Sequence, residues 1–155
     1  MKNIALNLLF LLSFSITKAQ ITKSSEGFYT DASGNLFTGL VEQKMENESK
    51  FTLQILNGKE EGEANYFYAS GKIMEKGNFS EGKKSEEWKR YSENGNLIGM
   101  GIYLNGKKNG NWLVWDDKGN KLFEMNYENG EKSGTWQQWD VAGNLVNETV
   151  YGIRN

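Results

Sequence analysis

Apolar and polar positions fall into short blocks along most of the chain. After Gln20, segments of five to eight residues rich in aromatic and branched side chains alternate with clusters of Asn, Asp, Ser and Gly. The segments have the length and chemistry of β-strands. No stretch after Gln20 keeps an apolar spacing of about 3.6 residues, so helix is not expected there. The clusters between the segments read as turns. Asn105-Gly106 and Asn129-Gly130 are strong hairpin signals, because both residues accept positive φ. Asp116-x-x-Gly119 and Asp140-x-x-Gly143 suit type I turns closed by a left-handed glycine.

The blocks repeat. Gly34, Gly58, Gly82, Gly106 and Gly130 are each 24 residues apart, as are Gly71, Gly95, Gly119 and Gly143. Asn47 is expected to fill the preceding slot of the second series, since Asn tolerates a left-handed backbone. Gly34 has the sequence context of that second series. A third series, Gly62, Gly110 and Gly134, is broken by Glu86. Aromatic residues follow the same grid. Trp88, Trp112 and Trp136 form one column, preceded by Leu40 and Ala64. Phe67, Tyr91, Trp115 and Trp139 form a second, and Phe79, Tyr103, Tyr127 and Tyr151 a third. One unit therefore reads as one β-hairpin, and successive hairpins are expected to pair into an antiparallel array.

An isolated hairpin is marginal in water, so each unit must bury a face against its neighbours. A recurring aromatic supplies about 150–250 Å² for that purpose. Trp112 and Trp115 differ by three positions. They face opposite sides of a regular strand, unless a bulge re-aims one. The first unit is irregular, a hairpin around Glu46–Ser49. Residues 20–33 precede the grid as an N-terminal cap with a strand near Phe28-Tyr29. The repeat domain is expected over 34–155, in about five units, with its last strand an array edge.

Residues 1–19 have a different character. Lys2 opens a charged start, Ile4–Ile16 is mostly apolar, and Thr17-Lys18-Ala19 carries small residues before Gln20. This order is that of a secretory signal peptide, and the apolar run is short for a membrane span of about 20 residues. The expected location is therefore exported, periplasmic or extracellular, in a bacterium, and not membrane-spanning after cleavage.

Composition narrows the chemistry. The chain has 18 Gly and 20 aromatic residues, and no Cys, His or Pro. Without His or Cys, Ser-His-Asp and Cys-His relays cannot be built, nor can the usual zinc and haem sites or a disulfide. A formal charge of -2 argues against a nucleic-acid binder, which needs a basic face. No cofactor, metal site or catalytic group is expected.

Three features remain as carriers of function. The aromatic columns, with Trp88, Tyr91, Trp112, Trp115, Trp136 and Trp139, either form the core or offer rings on which sugars or a protein partner stack. Asp116, Asp117 and Asp140 lie at turns, where Asp caps its own backbone more readily than it serves as half of a catalytic pair. Lys83, Lys84, Lys107, Lys108 and Lys132 recur beside the tight corner. They form a candidate basic edge for anionic lipid or acidic glycan, diluted by neighbouring Glu residues.

The run Tyr-x-Asn-Gly-Lys/Glu-x-x-Gly-x-Trp-x-x-Trp-x-x-x-Gly-Asn, at Tyr103–Asn120 and Tyr127–Asn144, resembles the MORN repeat. It is closer still to the MORN repeat variants of bacterial YwqK-type antitoxin-like proteins. The opening Asp31–Gly39 is similar to the usual first unit there, and the resemblance covers about Asp31–Tyr151. Ala64 departs from it in place of Trp, and Glu86 in place of Gly. The resemblance implies an elongated antiparallel sheet used for binding or scaffolding. Together these readings point to an exported, non-enzymatic, all-β repeat protein that binds a protein partner or an envelope glycan or lipid surface. The alternative is an antitoxin- or immunity-like protein that blocks a partner toxin.

Overall fold

The computed structural model describes residues 20–152, so the expected leader at 1–19 lies outside the described residues. The described chain is all-β. Two short strands, β1 (Thr22–Lys23) and β2 (Tyr29–Thr30), pair with each other. The strands β3 (Gly39–Lys44), β4 (Lys50–Leu56), β5 (Lys59–Phe67), β6 (Ile73–Ser80) and β7 (Lys83–Tyr91) begin the main sheet. It continues through β8 (Leu97–Leu104), β9 (Lys107–Trp115), β10 (Lys121–Glu128), β11 (Glu131–Trp139) and β12 (Leu145–Tyr151). These ten strands form one antiparallel sheet in chain order, which is five hairpins in succession.

Two kinds of turn alternate along the sheet. Tight corners at Asn57-Gly58, Glu81-Gly82, Asn105-Gly106 and Asn129-Gly130 place both residues at positive φ. Each corner glycine also ties its unit to the one before: the N–H groups of Gly82, Gly106 and Gly130 donate to the carbonyls of Glu60, Lys84 and Lys108 at 2.8–2.9 Å. The wider turns have five residues, such as Asp116–Asn120, where the Asn120 carbonyl accepts from Asp116 and the Asp116 carbonyl from Gly119.

Two regular irregularities were not legible in the glycine grid. Beside Gly62, Glu86, Gly110 and Gly134, the second strand of each pair runs two residues longer than its partner, and all four residues have positive φ. Just after the wider turns, Met74, Ile98, Leu122 and Val146 are single bulged residues. The β3–β4 pair has no such bulge. That unit is one residue shorter, which corrects one expectation: Glu48 (φ 67), not Asn47, takes the left-handed slot in its turn. Asn47 instead accepts from the Ser49 N–H through its side chain. Gly34 closes an Asp31–Asn35 turn of the same wide type, as its context suggests.

The core lies on one face of the sheet. Val41, Leu53, Ile55, Ala64 and Trp88 are buried there, joined by Tyr29 from the cap. The cap docks through backbone bonds, with Tyr29 N–H donating to the Gly58 carbonyl and Gly58 N–H to the Phe37 carbonyl. Ala64, fully buried, stands in the tryptophan slot beneath this cluster, which accounts for the small residue. Farther along, the indoles of Trp88 and Trp112 lie flat on glycine. A Cβ on Gly77 would come within 2.3 Å of the Trp88 ring, and one on Gly101 within 2.2 Å of Trp112.

Four substitutions test these constraints by thermal unfolding. Gly77→Ala and Gly101→Ala are expected to destabilise by about 1–3 kcal/mol through overpacking. Gly99→Ala meets only ordinary contacts and is expected to cost less than about 0.5 kcal/mol. Glu86 holds φ +59 where its equivalents are glycine. Glu86→Gly is expected to stabilise the fold by up to about 1 kcal/mol after glycine's entropy cost, and so to raise the melting temperature.

Candidate functional site

The pleat sorts the aromatic columns onto the two faces. Trp112 and Trp115 lie in an uninterrupted stretch of β9 and so face opposite sides. Trp88, Trp112 and Trp136 occupy the core face with Phe79, Tyr103, Tyr127 and Tyr151. Successive rings along it, Phe79–Trp88–Tyr103–Trp112–Tyr127–Trp136–Tyr151, have centroids 5.0–6.1 Å apart, mostly edge to face. Such pairs add about 0.5–1.5 kcal/mol each beyond area burial. Tyr91, Trp115 and Trp139 lie on the other face. Only Trp88 of the six candidate aromatics is buried, at 3% exposure; Tyr91, Trp112, Trp115, Trp136 and Trp139 are half-buried.

The two-residue interruptions explain how each indole N–H is satisfied. The interruption opens a carbonyl on the preceding strand, and the indole donates to it. Trp88 Nε1 donates to Asn78 at 3.1 Å, Trp112 to Ile102 at 3.2 Å and Trp136 to Asn126 at 2.8 Å. Burial pushes the phenol of Tyr103 up, and that of Tyr29 to about 12, with the nearby Glu60 carboxylate adding to the shift at Tyr29. Both are neutral at any physiological pH.

The candidate basic edge divides in two, because Lys83 and Lys84 are adjacent in a strand, as are Lys107 and Lys108. Lys83 and Lys107 flank the tight corners, and their stems lie under Gly106 and Gly130 of the next unit. Lys84, Lys108 and Lys132 sit directly across from Phe79, Tyr103 and Tyr127. Their ammonium groups lie over the ladder: Lys84 Nζ is 3.5 Å from the Trp88 centroid, Lys108 Nζ 4.2 Å from Trp112 and Lys132 Nζ 4.3 Å from Trp136. The core face is thus a row of half-exposed rings topped by cations. An open depression of about 790 Å³ adjoins Lys132 and Tyr151, and another of about 230 Å³ lies between Trp88 and Trp112.

The acidic candidates serve the turns. Asp116 Oδ1 accepts from the N–H of Lys118 and Asn120 at 2.8 and 2.9 Å, and Asp140 Oδ1 does the same for Ala142 and Asn144. Asp117 links two units, accepting from Ser92, Asn94 and Asn96 of the preceding wide turn. Among the described residues no group of three or more acidic side chains is placed to hold a metal ion, and no helix is long and apolar enough to cross a membrane.

Three segments, residues 60–81, 87–105 and 108–129, match the model of the MORN repeat variant. They coincide with the middle of the sheet, from β5 into β10. No curated protein matches the chain. MORN repeats commonly serve as binding or scaffold modules.

The turn carboxylates make stability depend on acid. Hydrogen bonds hold Asp117 below its ordinary value of 3.8, through Ser92 first, and hold Asp116 and Asp140 below it chiefly through Asn120 and Asn144. A depressed carboxylate stabilises the fold above its unfolded value and loses that contribution as the pH falls through its folded value. The melting temperature is therefore expected to drop below about pH 4. Asp117→Asn is expected to melt lower than the native chain at pH 7 and to match it more closely at pH 3, as calorimetry across that range would check.

Proposed function

We propose that the chain is an exported, non-enzymatic binding module whose working surface is the aromatic and lysine face of the sheet. The observation that carries this reading is the exposure pattern. The rings of the ladder are buried at Trp88, on the cap side of the sheet, and only half-buried at Trp112 and Trp136, and a cation lies over each of the three. Aromatic rings with an apolar face and an adjacent charge are the side chains that dominate binding energy at protein surfaces. A chain without His or Cys, whose turn acids are committed to backbone capping, supports binding over catalysis. The charged start and apolar run of residues 1–19 support export.

The test compares variants of the two faces. The full chain is used to capture proteins from bacterial envelope extracts, with purified glycans as competitors. Lys108→Gln/Trp136→Leu alters the ladder face and Trp115→Leu the opposite one, with circular dichroism to confirm folding. Capture is expected to fall at least about tenfold in the ladder variant, the scale of losing one or two buried anchors, and to persist in Trp115→Leu. The reverse order would place the working surface on the other face. Capture of a toxin whose activity the chain then blocks would favour the antitoxin-like alternative.

A further inference from the structure

One slot on the ladder face recurs four times, at residue 60, 84, 108 and 132, and each copy lies two strands from the next. At the first two copies the slot holds a complete arrangement of ring, ammonium and carboxylate. Glu60 Oε1 is 2.6 Å from Lys23 Nζ, which the cap places 5.0 Å from the Tyr29 centroid. Lys84 Nζ, over Trp88, is 2.6 Å from Glu75 Oε1. At the last two copies the carboxylate is missing. The residues one and two units after Glu75 are Gly99 and Phe123, and neither Lys108 nor Lys132 has an acidic partner within 4.0 Å among the described residues. The ammonium groups nevertheless keep their places over Trp112 and Tyr127, and over Trp136 and Tyr151.

We infer that Lys108 and Lys132 are two empty carboxylate positions, filled by an acidic peptide that runs across the strands in polyproline II form. The inference rests on the ladder face being the binding surface and names the partner it takes. Strands lie about 4.8 Å apart, so the two ammonium groups are set about 9.6 Å apart along the direction of stacking. A polyproline II helix rises about 3.1 Å per residue with three residues per turn, so every third side chain returns to one side after about 9.3 Å. An acidic residue at every third position therefore meets both lysines in step, and Glu75 shows how a carboxylate seats beside such an ammonium. Between the lysines lie the half-buried rings of Tyr127, on β10, and Trp136, which leans onto β10. The Trp136 N–H is already committed to the Asn126 carbonyl, so what these rings offer between the two cations is apolar ring edge and not a donor. Proline rings pack on aromatic surfaces of this kind in polyproline recognition, and a preformed helix loses little entropy on docking.

The experiment titrates the full chain, by tryptophan fluorescence and calorimetry, with a synthetic peptide of repeated Glu-Pro-Pro triplets. Comparison peptides carry repeated Gln-Pro-Pro, and the same number of Glu residues at every second position. Glu-Pro-Pro is expected to bind, more weakly as salt rises, and to lose at least about tenfold in affinity in Lys108→Gln/Lys132→Gln, the scale of two charge-assisted contacts. Lys84→Gln, already partnered by Glu75, is expected to change affinity less than about threefold. The inference is overturned if Glu-Pro-Pro does not bind, if the double variant binds it as well as the native chain, or if the every-second-position peptide binds equally. Binding of an oligouronate or of phosphatidylserine vesicles through the same lysines, in place of the peptide, overturns the peptide assignment and leaves the binding face standing. Retention of envelope partners by the ladder variant of the previous section overturns the face itself.

Discussion

The structure depends on a tryptophan laid flat on the backbone of the preceding strand. A single sheet has no second layer to bury its apolar face, so the face must cover itself. Trp88 and Trp112 do this by lying on Gly77 and Gly101, where no Cβ lifts them away. Each indole then reaches the ring of the following unit, and the contact passes from strand to strand. The two-residue interruptions follow from the same requirement, because they free the carbonyl that each indole N–H needs. An indole buried without that acceptor would cost about 1–3 kcal/mol. Packing, backbone irregularity and hydrogen bonding are thus one arrangement repeated.

This arrangement also decides what the surface offers. A lysine across from a tyrosine lies over the indole of its own strand, so it is held by the rings as much as by any carboxylate. Where an internal acid is available, as at Glu75, the slot is closed. Where the repeat carries Gly99 or Phe123 instead, the cation stays in position without a carboxylate beside it among the described residues, and Lys132 donates only to the Tyr151 hydroxyl, at 3.3 Å. Variation between units that leaves the sheet unchanged therefore grades the face, from closed near the cap to open toward β11.

Much of this was legible in the chain, and what was not has identifiable causes. The glycine grid and the Asn-Gly corners located every tight turn from Asn57 to Gly130, because positive φ admits few residue types. The grid did not expose Met74, Ile98, Leu122 and Val146, since a bulged residue can be any apolar side chain. That invisible residue is also why Asn47 and not Glu48 looked correct for the first turn. Glu86 read as a break in a series, whereas the backbone keeps its left-handed form there and bears the strain. Gly77 and Gly101 are spaced like the turn glycines, but they lie mid-strand with extended φ. Their spacing was a signal for ring packing that a search for turns passes over. The lysines read as one row because sequence proximity hides the pleat, which sends neighbours to opposite sides.

The bulged residue has a meaning for how such a chain changes over generations. Losing one residue from a strand normally turns every later side chain to the wrong side. Here each hairpin except the first already carries one surplus residue beside its wide turn, and the first shows that the sheet closes without it. A deletion there is absorbed locally, and duplication or loss of a whole unit leaves every junction of the same kind. Lineages can therefore lengthen, shorten and edit the array at these points while the rest of the sequence keeps its phase.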